Sequence, residues 1–353
     1  MGRKKKLALF LFVLDVVILA VGCLSDTLLI FASSNILGLM MLVFLWLGNR
    51  TLLKSPWYRN LLVDYDHEIY PDNVWYRAHD ERNFDLVNLG SSSSVYAFDY
   101  AGHDVKAMNW ARQPQTLLDD IRLVKNFHSI LKDGGYVLIS IMPFTSINKN
   151  TGLLNAVRYS QTLADVLLEE KYRRKANFLA RYPIFMGKRA LKEAVKAIIG
   201  YHQNVQKWQQ PENNPMSEAE LEADAMNWDR GWRQQFSIAN YKDPLTDTNA
   251  EGRQIRIKAM RDLIDFCQER GYKPVYVILP MTKQLRHYLH DEFLDKYVYE
   301  YLKQVERDVP ILDYLKDEEM LQPELYANAY FLNKQGARKF TGKVLQAIDD
   351  GVI

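Results

Sequence analysis

An apolar segment that stops at a glycine and four consecutive serines constrains the fold of this 353-residue chain more than any other feature. The run from Phe84 to Leu89 includes the β-branched Val87, which predicts a short, buried, parallel strand. Gly90 and the serines 91–94 then predict a tight turn into a helix. Ligands bind beyond the carboxyl ends of the strands in an open α/β sheet, so we expect this turn to lie at the binding site.

Two long apolar runs open the chain. The basic segment Met1–Lys6 precedes the run Leu7–Leu24, and a second run, Leu28–Gly48, follows a short polar connection. Each run is about long enough to cross the hydrocarbon core, which predicts a transmembrane hairpin within an anchor of residues 1–50. Basic residues flank both outer ends, so the positive-inside rule predicts that the termini and the large domain are cytoplasmic. A signal peptide is the alternative, but no small-residue cleavage site stands out.

Alternating strands and helices predict the rest of the fold. A polar, aromatic connector covers residues 51–83, and an α/β domain covers residues 84–353. We expect a three-layer, flavodoxin-like sandwich with helices on both faces of a five-stranded parallel sheet. The predicted strands are Phe84–Leu89, His103–Asn109, Tyr136–Met142, Pro274–Leu279 and Val309–Leu312. The predicted helices are Leu117–Leu131, which a Gly pair ends, Leu153–Leu168, Lys188–Ile199, Arg253–Arg270, Glu292–Arg307 and Lys334–Ile348.

A helical insertion is predicted over residues 147–250. From Arg158 to Lys196 its basic residues outnumber its acidic ones. Such a segment is either a solvated surface or a cap that rests on anionic lipid headgroups. Three tryptophans near its polar part either stack on sugar rings or pack in the core: Trp208, Trp228 and Trp232.

Composition gives no support for nucleic-acid binding or for a disulfide framework. The net charge of +2 gives no electrostatic case for binding nucleic acid. The two cysteines, Cys23 and Cys267, lie in a hydrophobic segment and in a predicted helix, so no disulfide framework is expected. We predict neither a metal site nor a cofactor.

The serine turn predicts acyl chemistry if one serine has a base. A serine at such a turn attacks an acyl group when a base takes its proton and backbone N–H groups hold the oxyanion. Ser92 is the candidate nucleophile, and Gly90 and Ser91 are candidate binding residues. His287 and His290 follow the fourth predicted strand and are the candidate bases. The alternative is that the serines only cap the following helix.

Three short motifs carry a resemblance to a known superfamily. Tyr330–Ala337, with Asn333 and Gly336 in fixed places, resembles the closing D-x-x-H-L-N-x-x-G-A block of the SGNH/GDSL hydrolases. Leu89–Ser92 resembles the first block, and Val277–Pro280 also fits. The resemblance covers roughly residues 84–145 and 253–349. It is nearest to the membrane-anchored branch, which includes the D-alanyl transfer protein of teichoic acid modification and alginate acetylation proteins.

The resemblance implies a role for each matched residue. Ser92 matches the nucleophile of the superfamily, and Asn109 lies where an oxyanion-hole residue is placed. In the closing block, however, Asn328 stands for the family's Asp, and Phe331 stands for its His. Phenylalanine cannot act as a general base, so the expected site is degenerate unless another histidine supplies the base.

The leading functional hypothesis is a membrane-anchored, SGNH-like protein of bacterial cell-surface polysaccharide or envelope biosynthesis, with serine-dependent acyl transfer or esterase activity. The alternative is a degenerate scaffold or glycan-binding partner of a membrane acyltransferase or polymerase. The expected partners are therefore membrane lipid, a glycan and such a membrane enzyme or polysaccharide-assembly protein. The resemblance implies a bacterial cell membrane location with the domain outside, against the charge pattern, so the side stays open.

A nucleotide- or S-adenosylmethionine-binding domain is a second alternative. The segment Leu131–Ile139, LKDGGYVLI, resembles an entry strand of methyltransferases. The turn N–H groups after Gly90 could also bind a phosphate. Against this alternative, Gly90 is the only glycine in the turn, whereas dinucleotide sites use several.

Overall fold

The computed structural model describes residues 28–62, 82–147, 152–164, 167–201, 208–212 and 216–352. The chain divides into two compact units. One unit combines Met1–Leu61 with Arg181–Asn204, and the other combines Leu62–Ala180 with Val205–Ile353. The predicted insertion thus contributes residues to both units.

The first unit is built on the long helix α1, Leu28–Leu52, which precedes the short helix α2, Pro56–Arg59. Residues 35–52 of α1 are apolar and long enough to cross a membrane, and they are the one such segment among the described residues. Only 11% of this window is buried, unlike a core helix of a soluble protein. The first apolar run, Leu7–Leu24, lies outside the described residues, so the predicted hairpin stays a prediction.

The second unit contains a five-stranded parallel sheet in the order β2-β1-β3-β4-β5. The strands are β1, Phe84–Leu89; β2, Ala107–Asn109; β3, Leu131–Ile141; β4, Lys273–Ile278; and β5, Ile311–Asp313. This 2-1-3-4-5 order is the doubly wound, flavodoxin-like arrangement. It confirms the predicted α/β class with five parallel strands.

Apolar side chains bury both faces of the sheet. Val87 and Leu89 of β1 point into one buried cluster, whereas Leu86 points into another. Successive side chains of a strand alternate between faces, so the run of apolar residues in β1 serves both clusters.

The helices follow the strands as the predicted alternation requires, and three insertion helices precede α8. Their bounds are α3, Ser92–Ala97; α4, Leu117–Phe127; α5, Leu153–Tyr159; α6, Glu170–Arg181; α7, Lys188–Ile198; α8, Glu218–Phe236; α9, Asp247–Gln268; α10, Lys283–Leu289; α11, Asp291–Leu294; α12, Glu300–Val305; and α13, Lys334–Asp349. A π-helical turn, Asp295–Tyr299, joins α11 to α12.

Several predicted boundaries were wrong. The second strand is only Ala107–Asn109, and the helix predicted over Leu153–Leu168 ends at Tyr159. The helix expected to reach Leu131 ends at Phe127, and a 3₁₀ turn, His128–Ile130, leads directly into β3. The Gly pair that was read as a helix stop lies inside β3, where the pairing with β1 shifts register.

The structure also shows a helix that the sequence reasoning missed. Helix α8 begins with a capping box, in which Ser217 and Glu220 exchange hydrogen bonds. Leu221, Ala225 and Trp232 are its buried apolar residues. The helix therefore brings a tryptophan-rich face to the α/β unit.

Candidate functional site

A cavity of about 670 Å³ opens at the carboxyl ends of β1 and β3, where the strand order predicts a binding crevice. Its volume is in the usual range for small-molecule sites. Part of its lining is polar and is called the polar side below: Ser91, Ser92, Gln115, Asp120, Asn155 and Arg256. Another part is aromatic and is called the aromatic side: Phe144, Trp228, Trp232, Phe236 and Tyr330.

Gly90 makes the sharp turn from β1 into the cavity. Its φ of +132° is in a region that side-chain-bearing residues rarely adopt. A Cβ on Gly90 would lie 2.8 Å from the Cβ of Ser94 and 3.1 Å from that of Ser140. The turn therefore requires glycine both for backbone conformation and for space.

The four serines after Gly90 have four different environments. The Ser91 Oγ accepts a hydrogen bond from the Gln115 N–H at 3.4 Å. Ser94 is fully buried; its Oγ donates to the Leu89 carbonyl at 2.8 Å and lies 2.7 Å from the Ser140 Oγ. Ser93 is buried as well. Ser92 is half-buried in the cavity lining, and its hydroxyl makes no hydrogen bond to another described residue. Ser91 and Ser92 both line the cavity, and Ser92 is the one of the two whose hydroxyl has no hydrogen bond to a described residue.

Gln115 links the serine turn to a buried carboxyl group. Its Nε2 donates to the Asp120 Oδ1 at 2.6 Å and to the Trp110 carbonyl at 3.0 Å, while its Oε1 accepts from the Tyr159 hydroxyl. The Gly90 N–H also donates to the Asp120 Oδ1, at 3.2 Å. Asp120 thus contacts the turn directly and through Gln115.

Asp120 and its neighbour Asp119 have different roles. Asp119 forms a capping box with Thr116 at the start of α4, and it accepts from Asn155 and pairs with Arg122. Burial raises the pKa of Asp120 to about 7, and the Asp119 charge acts in the same direction; the hydrogen bonds from Gln115 and Gly90 oppose them. A carboxyl group that titrates near neutral pH beside a cavity is suited to acid–base work.

Arg256 contributes a buried cation to the same lining. Its side chain is 1% exposed, and burial lowers its pKa, while the charges of Asp119 and Asp120 oppose this. The polar side of the cavity therefore combines acidic, basic and neutral hydrogen-bonding groups.

The aromatic side is a contiguous set of rings. Phe144 stacks on Phe236 with centroids 4.7 Å apart, and Trp232 meets the edge of Tyr330 at 5.0 Å. Trp228 lies 5.3 Å from both Trp232 and Tyr330. Of the three tryptophans considered in the sequence, Trp228 and Trp232 line the cavity, whereas Trp208 packs against Tyr96.

Asn109 is close to the serine turn but is not in the cavity lining. Its Oδ1 accepts from the Asn88 side chain at 2.8 Å and from the Ala111 N–H at 3.0 Å. Its Nδ2 faces the carbonyls of Ser94 and Phe98. These contacts hold β1, β2 and α3 together, so Asn109 occupies a structural position in this arrangement.

The two candidate histidine bases lie in a separate depression. His287 and His290 line a cavity of about 330 Å³ with Lys283, Arg286 and Asp291, and it shares no lining residue with the serine cavity. Among the described residues, no histidine lines the serine cavity. The structure therefore does not bring His287 or His290 together with Ser92.

The closing block places aromatic rings beside the serine turn. The Asn328 Oδ1 accepts from the N–H groups of Tyr330 and Phe331, at 2.9 Å and 2.7 Å. The Phe331 ring stacks on Tyr96 of α3, with centroids 4.4 Å apart and an interplanar angle of 7°. Phe331 is thus a packing residue, and its neighbour Tyr330 lines the cavity. Burial raises the pKa of Tyr330 to about 12.

The structure explains why Asn and Gly occupy two other positions of the closing block. Asn333 caps α13 by accepting from the Gly336 N–H at 2.9 Å. A Cβ on Gly336 would lie 2.0 Å from the Leu325 carbonyl oxygen, so only glycine fits. The N-x-x-G part of the block is therefore explained by helix capping and close backbone approach.

Sequence reasoning missed Gln115, Asp120 and Arg256. A signal for Asp120 was present: it is three residues after Leu117 and four before Val124, so it lies on the apolar stripe of α4. A carboxyl group on that stripe is expected to be buried. Gln115 and Arg256 had no comparable local signal, because tertiary packing brings them to the cavity.

The glycine pair of the methyltransferase-like segment, Gly134–Gly135, is at the amino end of β3. The serine cavity is at the carboxyl end of the sheet, so these glycines do not contribute to it. The described residues contain no group of three or more His, Cys, Asp or Glu side chains that could hold a metal ion.

No protein-family model matches the chain, and no curated protein matches it in sequence. The resemblance to the SGNH/GDSL hydrolases therefore stays a prediction from the motifs.

Proposed function

We propose that this chain is a membrane-anchored, SGNH-like protein of the bacterial envelope whose α/β unit binds a glycan or an acylated glycan. The observation that carries the proposal is the cavity at the carboxyl edge of the sheet, with its polar side and its aromatic side. In this proposal the serine–histidine chemistry of the superfamily is lost, and the protein presents its ligand to a membrane-bound polysaccharide enzyme.

The lining chemistry supports a carbohydrate ligand. Aromatic faces such as that of Trp228 pack against the apolar C–H face of a sugar ring, while hydroxyl groups need hydrogen-bonding partners. Gln115, Asn155 and Ser92 supply such partners in the polar part of the same lining. An acyl group on the sugar would lie against Met142 and Ile147, which also line the cavity.

The position of Phe331 supports the loss of the usual chemistry. By resemblance this residue replaces the histidine of the superfamily, and its ring is stacked on Tyr96. The apolar helix α1 supports the anchor, because its window 35–52 is exposed and long enough to span.

A binding titration tests the proposal. The full chain in detergent is titrated with neutral and acidic envelope oligosaccharides, with and without O-acetyl groups, and tryptophan fluorescence is recorded. We expect saturable binding that Trp228→Ala weakens by about tenfold, because a stacking contact on one aromatic ring contributes up to about 1.5 kcal/mol. Met226→Ala is the matched control, since Met226 is exposed on the same helix. No saturable signal with any oligosaccharide, or equal affinity of the two variants, contradicts the proposal.

Serine-dependent acyl transfer is the second candidate, and the presence of the Ser92 hydroxyl and the Asp120 carboxyl group in the same cavity lining favours it. The Asp120 carboxylate would take the hydroxyl proton, the Ser92 oxygen would form an ester with the acyl group, and the proton would pass to the leaving alcohol.

A fluorophosphonate probe, which labels activated serines, separates acyl transfer from glycan binding. Acyl transfer is supported if the probe labels the protein and Ser92→Ala abolishes the labelling while Ser160→Ala preserves it. The labelling should also rise with pH through about 7, as Asp120 loses its proton. Absence of labelling leaves the binding function.

A further inference from the structure

Helix α7, Lys188–Ile198, packs one face against α1 and leaves another apolar face exposed. Ala190 and Ala194 are fully buried in a cluster with Leu52 and Ile184. A Cβ on Gly48 of α1 would lie 2.8 Å from the Ile184 Cδ1 and 3.4 Å from the Ala194 Cβ, so the small residues allow close packing.

The exposed face is a continuous apolar stripe. Leu191, Val195 and Ile199 recur every four residues, which places them on one side of the helix. They are 40%, 47% and 72% exposed, and Phe185 just before the helix is exposed as well. Scattered exposed apolar residues are ordinary, but an ordered stripe of them marks an interaction surface.

Basic residues flank the stripe on the side away from α1. Arg189 and Lys192 are exposed on that side, and Lys188 is exposed one turn before Leu191, in line with the stripe. Lys196 pairs with Glu193 at 2.9 Å, so the net charge of the flank comes from the other three. An apolar stripe beside a basic flank is the pattern of a helix that lies in the plane of a membrane surface.

The contact with α1 gives the depth of α7 relative to the candidate span. The contacting residues of α1, Phe44, Leu45, Gly48 and Leu52, belong to its carboxyl-terminal end. Trp46 is exposed there, and the Arg50 guanidinium lies 5.5 Å from its ring centroid. Tryptophan and arginine at a helix end are typical of the membrane–water interface. The stripe of α7 is therefore level with the interface end of α1.

We propose that α7 is a second membrane element: its stripe Leu191–Val195–Ile199 inserts at the boundary of headgroups and acyl chains, and Lys188, Arg189 and Lys192 bind anionic phospholipid headgroups. The inference rests on the proposed anchoring by α1. Lipid is the occupant because α7 packs on the interface end of the candidate span and its exposed basic residues complement anionic headgroups.

Environment-sensitive labels on the full chain test this proposal. The fluorophore NBD is attached to Val195→Cys, to Arg189→Cys on the basic flank, or to Met41→Cys on the exposed surface of α1. Cys23 is replaced by serine, and Cys267 is buried, so it reacts poorly. Each protein is reconstituted in vesicles of phosphatidylcholine, with or without phosphatidylglycerol, and quenching by nitroxide-labelled lipid is measured.

We expect about twofold or stronger lipid quenching at 195 than at 189, and an increase at 195 when phosphatidylglycerol is present. Adding Lys188→Glu and Lys192→Glu to the Val195→Cys protein should remove that increase. Quenching of the label at position 41 without quenching at position 195 overturns the membrane role of α7 and leaves the anchoring by α1 intact. In that case water or another protein, and not lipid, covers the stripe. Loss of quenching at both sites overturns the anchor itself.

Discussion

The polar side and the aromatic side of the cavity are built in different ways. The polar side comes mainly from the segment between β1 and α4, where Gly90, Gln115 and Asp120 are joined by hydrogen bonds to main-chain groups. The aromatic side comes from α8 and the closing block, where Trp232 and Tyr330 meet through ring contacts alone. The polar side therefore depends on exact backbone geometry, and the aromatic side depends on packed volume. Substitutions that separate these two kinds of dependence are the sharpest tests.

Trp232→Ala should have the largest effect. Trp232 is buried and packs against Phe144, Trp228 and Tyr330, so removing the indole leaves a hole that the rings around it fill only in part. We expect a loss of about 4 kcal/mol in the free energy of unfolding, measured by chemical denaturation. Gln235→Ala, exposed on the same helix, should stay within about 0.5 kcal/mol of the parent. Equal stability of the two variants would show that packed volume does not hold the aromatic side.

Gly90→Ala should come next, with a loss of about 3 kcal/mol from backbone strain and from overlap with Ser94 and Ser140. Gly134→Ala is the matched control. It also has a positive φ, +72°, but a Cβ there meets no atom within 4 Å. It should lose only about 1 kcal/mol, and the difference between the two variants measures the combined cost of the steric overlap at Gly90 and of its less accessible φ. Similar losses would mean that conformation alone, and not space, requires Gly90.

Asp120→Asn should produce a smaller, pH-dependent gain. The pKa of Asp120 is raised in the folded state to about 7, so folding is penalised as pH rises from about 4 to about 7 and the penalty is constant above that. The asparagine keeps an acceptor for Gly90 and Gln115 but carries no charge. We expect about 2 kcal/mol of stabilisation at pH 8 and little at pH 4, the full shift setting an upper limit of about 4.

The measurement is the midpoint of denaturation at each pH for the parent and the variant. Asp262→Asn, at an exposed position of α9, should show no such dependence beyond about 0.5 kcal/mol. A gain for Asp120→Asn that is as large at pH 4 as at pH 8 would contradict a raised pKa at this site.

Substitutions of Ser94 and Ser92 should have the smallest effects on the free energy of unfolding. Ser94→Ala removes the hydroxyl that joins Asn88, Leu89 and Ser140, so we expect a loss of about 1–2 kcal/mol. Ser92→Ala should change the free energy of unfolding by less than about 0.5 kcal/mol, because its hydroxyl bonds to no described residue. A loss at Ser92 as large as that at Ser94 would show that Ser92 is a structural serine.

The strands and the turn could be predicted because their signals are local. The apolar run of β1, its stop at Gly90 and the cap of α13 by Asn333 are each written within a few residues, and the structure has all three. The start of β3 was misread for the same reason. Its Gly pair resembles a helix stop, and only the register with β1 shows that the segment is a strand.

The site was predictable in part. The sequence located the serine turn, but the partners of the turn come from three other elements. Gln115 precedes α4, Arg256 lies on α9 and Trp232 lies on α8, so nothing in the neighbourhood of Ser92 could indicate them. The capping box of α8 was readable from Ser217 and Glu220, but the direction of its tryptophans depends on tertiary packing.

The strand order has a consequence for how the chain emerges during synthesis. β1 is made before both of its neighbours, and β3 then has one edge without a partner until β4 appears roughly 130 residues later. Throughout that interval the nascent chain carries an apolar strand edge able to pair with other chains. The long insertion thus delays closure of the sheet, and slowed elongation between β3 and β4 should favour aggregation of the unfinished protein.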